Sequence, residues 1–100
     1  MSKVSKTPSW LEVRADGVTV TLSKPAQANG VQVDKLQMRA PTVRDIRAAQ
    51  TTAGSDDEQR EMNLFASLAE VGQQDLEGLT LKDYSRLQAG YFRLVQDDEL

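Results

Sequence analysis

From Trp10 to Met38 apolar side chains recur mainly at every second position, and from Val43 onward at every third or fourth. The first spacing is that of a strand with one buried face, the second that of a helix with one buried face. The changeover lies in Leu36 to Ala49, LQMRAPTVRDIRAA. Leu36 and Met38 alternate with Gln37 and Arg39, Pro41 ends that strand, and Val43, Ile46 and Ala49 continue at helical spacing. Thr42 is the N-cap between the two, its hydroxyl placed to accept from the Asp45 N–H while the Asp45 carboxylate returns to the Thr42 N–H. The pattern predicts a single α+β domain over residues 1–100. A small antiparallel β-hairpin or meander, residues 10–40, precedes a helical half, residues 41–95, with three helices at 43–51, 56–71 and 81–95.

Within the β half, Trp10 to Arg14 places Leu11 and Val13 on one face and runs into Ala15-Asp16-Gly17, where Asp-Gly supplies a turn with its own positive φ. Val18 to Leu22, VTVTL, alternates cleanly, so a hairpin across Asp16-Gly17 is expected. Ser23 to Gly30, SKPAQANG, contains Pro25 and the turn dipeptide Asn29-Gly30 and reads as an exposed loop between strands. Val31 and Val33 share one parity, Leu36 and Met38 the other. The slip near Asp34-Lys35 is either a β-bulge or the border of a short separate strand.

The first helix ends into Thr51-Thr52-Ala53-Gly54, with Gly54 suited to a left-handed C-cap. Ser55-Asp56-Asp57-Glu58 has the form of a capping box opening the second helix, with its acidic run at the favourable end of the helix dipole, and Gly72 is expected to end that helix. Met62, Leu64, Phe65, Leu68, Ala69 and Val71 make it broadly apolar along one side. Thr80 caps the third helix, with Leu79 and Tyr84 placed as a hydrophobic staple. Thr42–Ile46 and Thr80–Tyr84 share the order Thr, apolar, basic, Asp, apolar, which common capping chemistry explains without an internal duplication. Gly90, inside the third helix, either permits a close contact or marks a weak point. Tyr91, Phe92 and Leu94 lie on three bearings, since each residue turns the helix by about 100°. They cannot all face one internal contact, and they are the expected partner-binding residues.

Composition narrows the chemistry. The 100 residues are 39% hydrophobic and 27% charged, enough for one modest core, while Met1–Ser9 and Gln96–Leu100 lack apolar periodicity and are expected to fray. Cysteine and histidine are both absent, which removes disulfides, thiolate nucleophiles and the commonest acid–base group and metal ligand. The carboxylate pairs Asp97 and Asp98, and Asp75 and Glu77, sit in expected tails and connectors with no apolar wall to raise a pKa. No phosphate loop or metal-ligand spacing occurs, so the chain reads as a non-enzyme without cofactor or metal. No apolar run reaches the roughly 20 residues of a membrane span, and Met1–Pro8 carries no signal-type apolar segment, so the expected location is cytoplasmic.

Charge is uneven. Residues 1–50 hold eight Lys and Arg against four Asp and Glu, a net of +4, and residues 51–100 hold four against eleven, a net of −7. This describes either two solvated faces or a dipolar protomer that self-associates into a homo-oligomer. Arg39, Arg44 and Arg47 cluster at the changeover and define the alternative reading, a small DNA-binding transcriptional regulator. A sequence pI near 4.8 weighs against a surface that tracks phosphates.

Two blocks of sequence resemble a known family. Residues 18–49, VTLSKPAQANGVQVDKLQMRAPTVRDIRAA in their main part, combine an apolar strand ending in Leu22-Ser23-Lys24-Pro25, a Gly at residue 30, a Leu-x-x-Arg strand end and Pro-Thr-x-x-Asp-Ile. Residues 79–94, LTLKDYSRLQAGYFRL, carry Leu81, Asp83 and Tyr84 near a helix start. Both are similar to the phage tail assembly chaperones of contractile-tailed phages and related prophages. The resemblance implies a factor of virion morphogenesis in the host cytoplasm that binds the tape measure protein and keeps it soluble until tail tube protein polymerises around it. It also implies absence from the finished tail and, in many members, a longer form made by frameshifting. No nucleic acid or membrane enters that role.

Overall fold

The computed structural model describes residues 7–96. Among these, β1 (Leu11–Arg14), β2 (Gly17–Ala28) and β3 (Val31–Arg39) form an antiparallel sheet in the order β1-β2-β3. The helices α1 (Val43–Ala53), α2 (Asp57–Ala69), α3 (Gln73–Glu77) and α4 (Leu81–Val95) follow. The architecture is the expected α+β one, with a short fourth helix, α3, in place of an expected connector. Most of the expected frayed ends, and the Asp97-Asp98 pair, lie outside the described residues. Within them, the Pro8 carbonyl accepts the Leu11 N–H at 3.1 Å, tying the chain down just before β1.

Register turns the alternating sequence into one apolar face. Val20 lies between Leu11 and Leu36, and Val18 between Val13 and Met38. Helix α4 covers β1 and β2, α2 covers β3, and α1 packs on α2. Phe65, Leu68 and Leu87 are fully buried between helices and sheet, each contributing roughly 1.5–3 kcal/mol of apolar burial. The opposite face, with Glu12, Thr19, Lys35 and Gln37, is polar, as an antiparallel sheet with one solvated side requires.

The β half departs from expectation at three points. Ser23–Ala28 is strand, not loop, and only Asn29 and Gly30 form the turn, both at positive φ (56° and 80°), the geometry that matches the twist of a two-residue hairpin. The first turn is made by Ala15 and Asp16, and Gly17 already pairs within the sheet. Gly17 is glycine because a Cβ there would collide with the Met38 carbonyl oxygen, not because the turn needs positive φ. The phase slip falls inside one continuous β3, opposite a bulge of β2. Between the pairs Thr21↔Lys35 and Ala26↔Val33, Leu22, Ser23, Lys24 and Pro25 of β2 stand opposite Asp34 alone.

The helix borders follow local chemistry. At α1 both halves of the Thr42–Asp45 capping box form: the Asp45 N–H reaches the Thr42 hydroxyl at 3.2 Å and the Thr42 N–H reaches the Asp45 carboxylate at 2.8 Å. The helix runs on to Ala53, its Thr51 and Thr52 hydroxyls bonding back to the carbonyls of Arg47 and Ala48 so that neither competes for an outside partner, and Gly54, at φ 63°, ends it with its N–H on the Gln50 carbonyl. The N-cap of α2 is Asp56 rather than Ser55, accepting from the Gln59 N–H at 3.1 Å. That helix ends at Glu70, not Gly72. Glu70 adopts the left-handed conformation and the Val71 N–H closes on the Ala66 carbonyl at 3.0 Å. Gly72 instead opens α3, where the Asp75 carboxylate accepts its N–H at 3.1 Å and the Asn29 N–H at 3.1 Å, pinning the β2–β3 turn to the helical layer.

Candidate functional site

The arrangement of α4 on the sheet determines what is left for a partner. Leu87, Gly90 and Leu94 follow one another at steps of three and four, and the bare Gly90 lets the helix settle onto the sheet. A Cβ at Gly90 would lie 3.2 Å from Val18 Cγ2 and 3.3 Å from both Leu11 Cδ1 and Val20 Cγ2. Gly90 is thus a close-contact position. Tyr84 and Tyr91 fall to one side of that line, toward α2, and both rings pack on Phe65, with centroids 5.7 and 5.3 Å away.

These three rings form the floor of a cleft between α2 and α4. At the α1 end it widens to a cavity of about 270 Å³ lined by Ile46, Ala49, Arg60, Glu61, Leu64, Phe65 and Tyr91. On the other side lies a hollow of about 380 Å³ lined by Glu58, Glu61, Met62, Leu81, Tyr84, Ser85 and Gln88. Glu61 borders both, and one of its carboxylate oxygens accepts from the Tyr84 hydroxyl at 2.8 Å and from Gln88 Nε2 at 3.0 Å. Burial, and then the Glu61 acceptor and its charge, push the Tyr84 hydroxyl above the ordinary tyrosine range, so it remains a donor. Along the rim α4 leaves apolar groups in solvent: Phe92 is 63% exposed and Leu81, at the edge of the second hollow, 85%.

The expected partner-binding residues are therefore separated. Leu94 packs against the core, Tyr91 lines the cleft, and Phe92 stands in solvent. The structure adds Ile46, Leu64 and Phe65 to Tyr91. The α2 stripe signalled an apolar surface, but its convergence with Ile46 depends on the angle between α1 and α2, which no local pattern encodes.

Helix α1 is held to this site mostly by polar contacts, with Ala49 its one buried residue. Asn63 Nδ2 donates to the Thr52 hydroxyl at 2.8 Å, and the Arg39 guanidinium grips the Asp45 carboxylate through two bonds of 2.7 and 2.9 Å. The Arg39 bonds, followed by the Thr42 N–H, hold the Asp45 carboxyl far below the usual carboxylate range. Of the basic trio at the changeover, Arg39 is thus engaged internally, while Arg44 and Arg47 are exposed on α1.

A family model described as phage tail assembly chaperone proteins, E, or 41 or 14, matches residues 19–96. The chain belongs to this family. Membership implies a chaperone's role, which is a non-enzymatic one, with tail proteins as partners. No curated protein and no solved structure matches the chain. No helix among the described residues is long and apolar enough to cross a membrane.

Proposed function

We propose that this tail assembly chaperone binds the tape measure protein in the host cytoplasm and keeps it soluble until tail tube subunits assemble around it. The observation that carries the reading is the aromatic cleft of Phe65, Tyr84 and Tyr91, bordered by apolar side chains that α4 leaves in solvent. Apolar side chains of a client helix would enter the cleft at the Tyr91 end, with Phe92 covering them from the rim. This is the helix-in-groove mode, in which aromatic anchors concentrate the binding energy. The α1 helix, with so little buried apolar surface, is the element that can shift to widen the cleft. The whole chain, residues 1–100, acts as one unit in this role. The DNA-binding alternative loses ground because Asp45 neutralises Arg39.

The test is co-expression with the tape measure protein, read as client solubility, alongside melting of each variant alone. Phe92→Ala is expected to reduce client capture while the fold melts within a few degrees of the parent. Leu87→Ala, at a fully buried position, is expected to cost about 2–5 kcal/mol of stability. If neither variant alters client solubility, α4 is not the binding surface.

A further inference from the structure

The β3 strand is an edge strand, and its free side carries a self-complementary sequence. About the midpoint between Asp34 and Lys35 the strand reads Val-Gln-Val-Asp and then Lys-Leu-Gln-Met. Apolar mirrors apolar (Val31 with Met38, Val33 with Leu36), Gln32 mirrors Gln37, and Asp34 mirrors Lys35. We propose that a second copy of this chain pairs along β3, antiparallel about a two-fold axis between Asp34 and Lys35, joining the two sheets into one. The proposal is independent of the client reading above.

A two-fold axis between residues normally forbids such pairing. In a regular strand, residues mirrored about a gap lie an odd number of positions apart, so their side chains point to opposite faces. Here the irregularity at Asp34, opposite the β2 bulge, reverses the phase. Val33 and Leu36 both take part in the core on the helical side of the sheet, whereas Gln32 and Gln37 are both exposed. The mirrored residues therefore share a face, as an isologous antiparallel pair requires.

The backbone phase agrees. Ala28 and Val31 flank a two-residue turn and so bond to each other, which turns the N–H and C=O groups of Val31 and Val33 toward β2 and those of Gln32 outward. The Thr21 N–H is taken by the Trp10 carbonyl at 2.8 Å, so Lys35 opposite Thr21, and Gln37 two residues on, also turn their backbone groups outward. Gln32 meets Gln37 of the second copy as a mutually bonded pair, with Val33 and Leu36 as the apolar pair between bonds.

Charge and exposure favour the same partner. Among the described residues neither Asp34 nor Lys35 has an ion-pair partner within the protomer, and each would meet the opposite charge across the axis. Val31, 60% exposed, gains an apolar neighbour. An uncovered edge of this length invites pairing, and a sequence mirrored about its own centre selects an identical chain.

The test uses charge exchange in the full chain, read by sedimentation equilibrium. The parent is expected to dimerise. Asp34→Lys places lysines on both sides of the axis and Lys35→Asp places aspartates there, so each variant alone is expected to dissociate about tenfold or more readily. Mixing the two variants restores opposite charges and is expected to restore the dimer as a heterodimer. Both positions are exposed, so unchanged melting confirms intact folds. A parent that stays monomeric up to millimolar concentration overturns the proposal. So do single variants that associate as the parent does, or monomeric variants that remain monomeric when mixed.

Discussion

Replacing Asp83 by Ala tests a buried contact that joins the two halves of the chain. Asp83 lies in the first turn of α4 and is 1% exposed, yet among the described residues no cation is in direct contact with its carboxylate. It accepts the Ser23 N–H at 2.7 Å and, more weakly, the Lys24 N–H at 3.4 Å. These are amides of the β2 bulge that do not bond to β3. A hydrogen bond to a charged group contributes about 1.5–3 kcal/mol, and a carboxylate in the first helical turn adds about 0.3–1 kcal/mol. Relief of the carboxylate's desolvation offsets part of the loss, so Asp83→Ala is expected to cost about 2–4 kcal/mol and Asp83→Asn, which keeps one acceptor, roughly half as much. At about 4–8 °C per kcal/mol for a domain of this size, Asp83→Ala should melt at least about 8 °C below the parent.

The same contact predicts a pH dependence with a definite sign. Burial pushes the Asp83 carboxyl upward, but the Ser23 N–H and hydroxyl, the Lys24 N–H and the charge of Arg86 together outweigh burial and lower it. Between the lowered folded value and the unfolded value near about 3.9, the unfolded chain binds more protons, so stability rises with pH there. The contribution is complete above that unfolded value and is lost as pH falls through the folded one. Thermal melts of parent and Asp83→Asn from pH 7 to pH 2 measure it: the gap between them should narrow only below about pH 4. An Asp83→Ala protein that melts within 2 °C or so of the parent at neutral pH, or a gap that stays constant into acid, would refute the assignment.

Three further changes probe the frame. Thr42→Ala removes the acceptor of the α1 cap and should cost on the order of 1 kcal/mol, measured by denaturant unfolding. Glu70→Gly should stabilise by about 1 kcal/mol, because a non-glycine residue holds the left-handed conformation there and its carbonyl bond to Asn29 survives the change. Gly90→Ala should destabilise by about 1 kcal/mol: helix propensity favours alanine, but the stiff, fully buried Val18 and Val20 cannot retreat from the new methyl. A higher melting temperature for this variant would show that the sheet yields instead.

Sequence pattern was sufficient wherever the deciding interaction is local. The alternation of Val18, Val20 and Leu22, the Thr42–Asp45 box and the span of α4 each depend on neighbours a few positions away. The aromatic floor of the candidate site was legible only as separate apolar stripes on α2 and α4. Their meeting at Phe65 follows from how both helices lie on the sheet.

What tertiary structure alone decided is clearest where one local pattern met two fates. Thr42-Val43-Arg44-Asp45-Ile46 and Thr80-Leu81-Lys82-Asp83-Tyr84 are nearly the same helix start, and in both the threonine hydroxyl accepts the N–H of the aspartate. Asp45 then returns to its own cap, while Asp83 reaches across 60 residues of chain to Ser23. The reason is the supply of unsatisfied donors. The β2 bulge, where Pro25 has no N–H to give and the neighbouring amides do not bond to β3, presents unpaired donors at the place where α4 begins, and the buried Asp83 carboxylate takes them as its partners. Periodicity could mark Ser23–Gly30 as irregular, but the strand it became is held by a side chain from the far end of the molecule. The sequence by itself determined most of the elements and the threonine caps of α1 and α4; the strand at Ser23–Ala28, the short α3, the docking of α4 on the bulge, and with it the cleft against α2, depended on which groups the folded chain brought together.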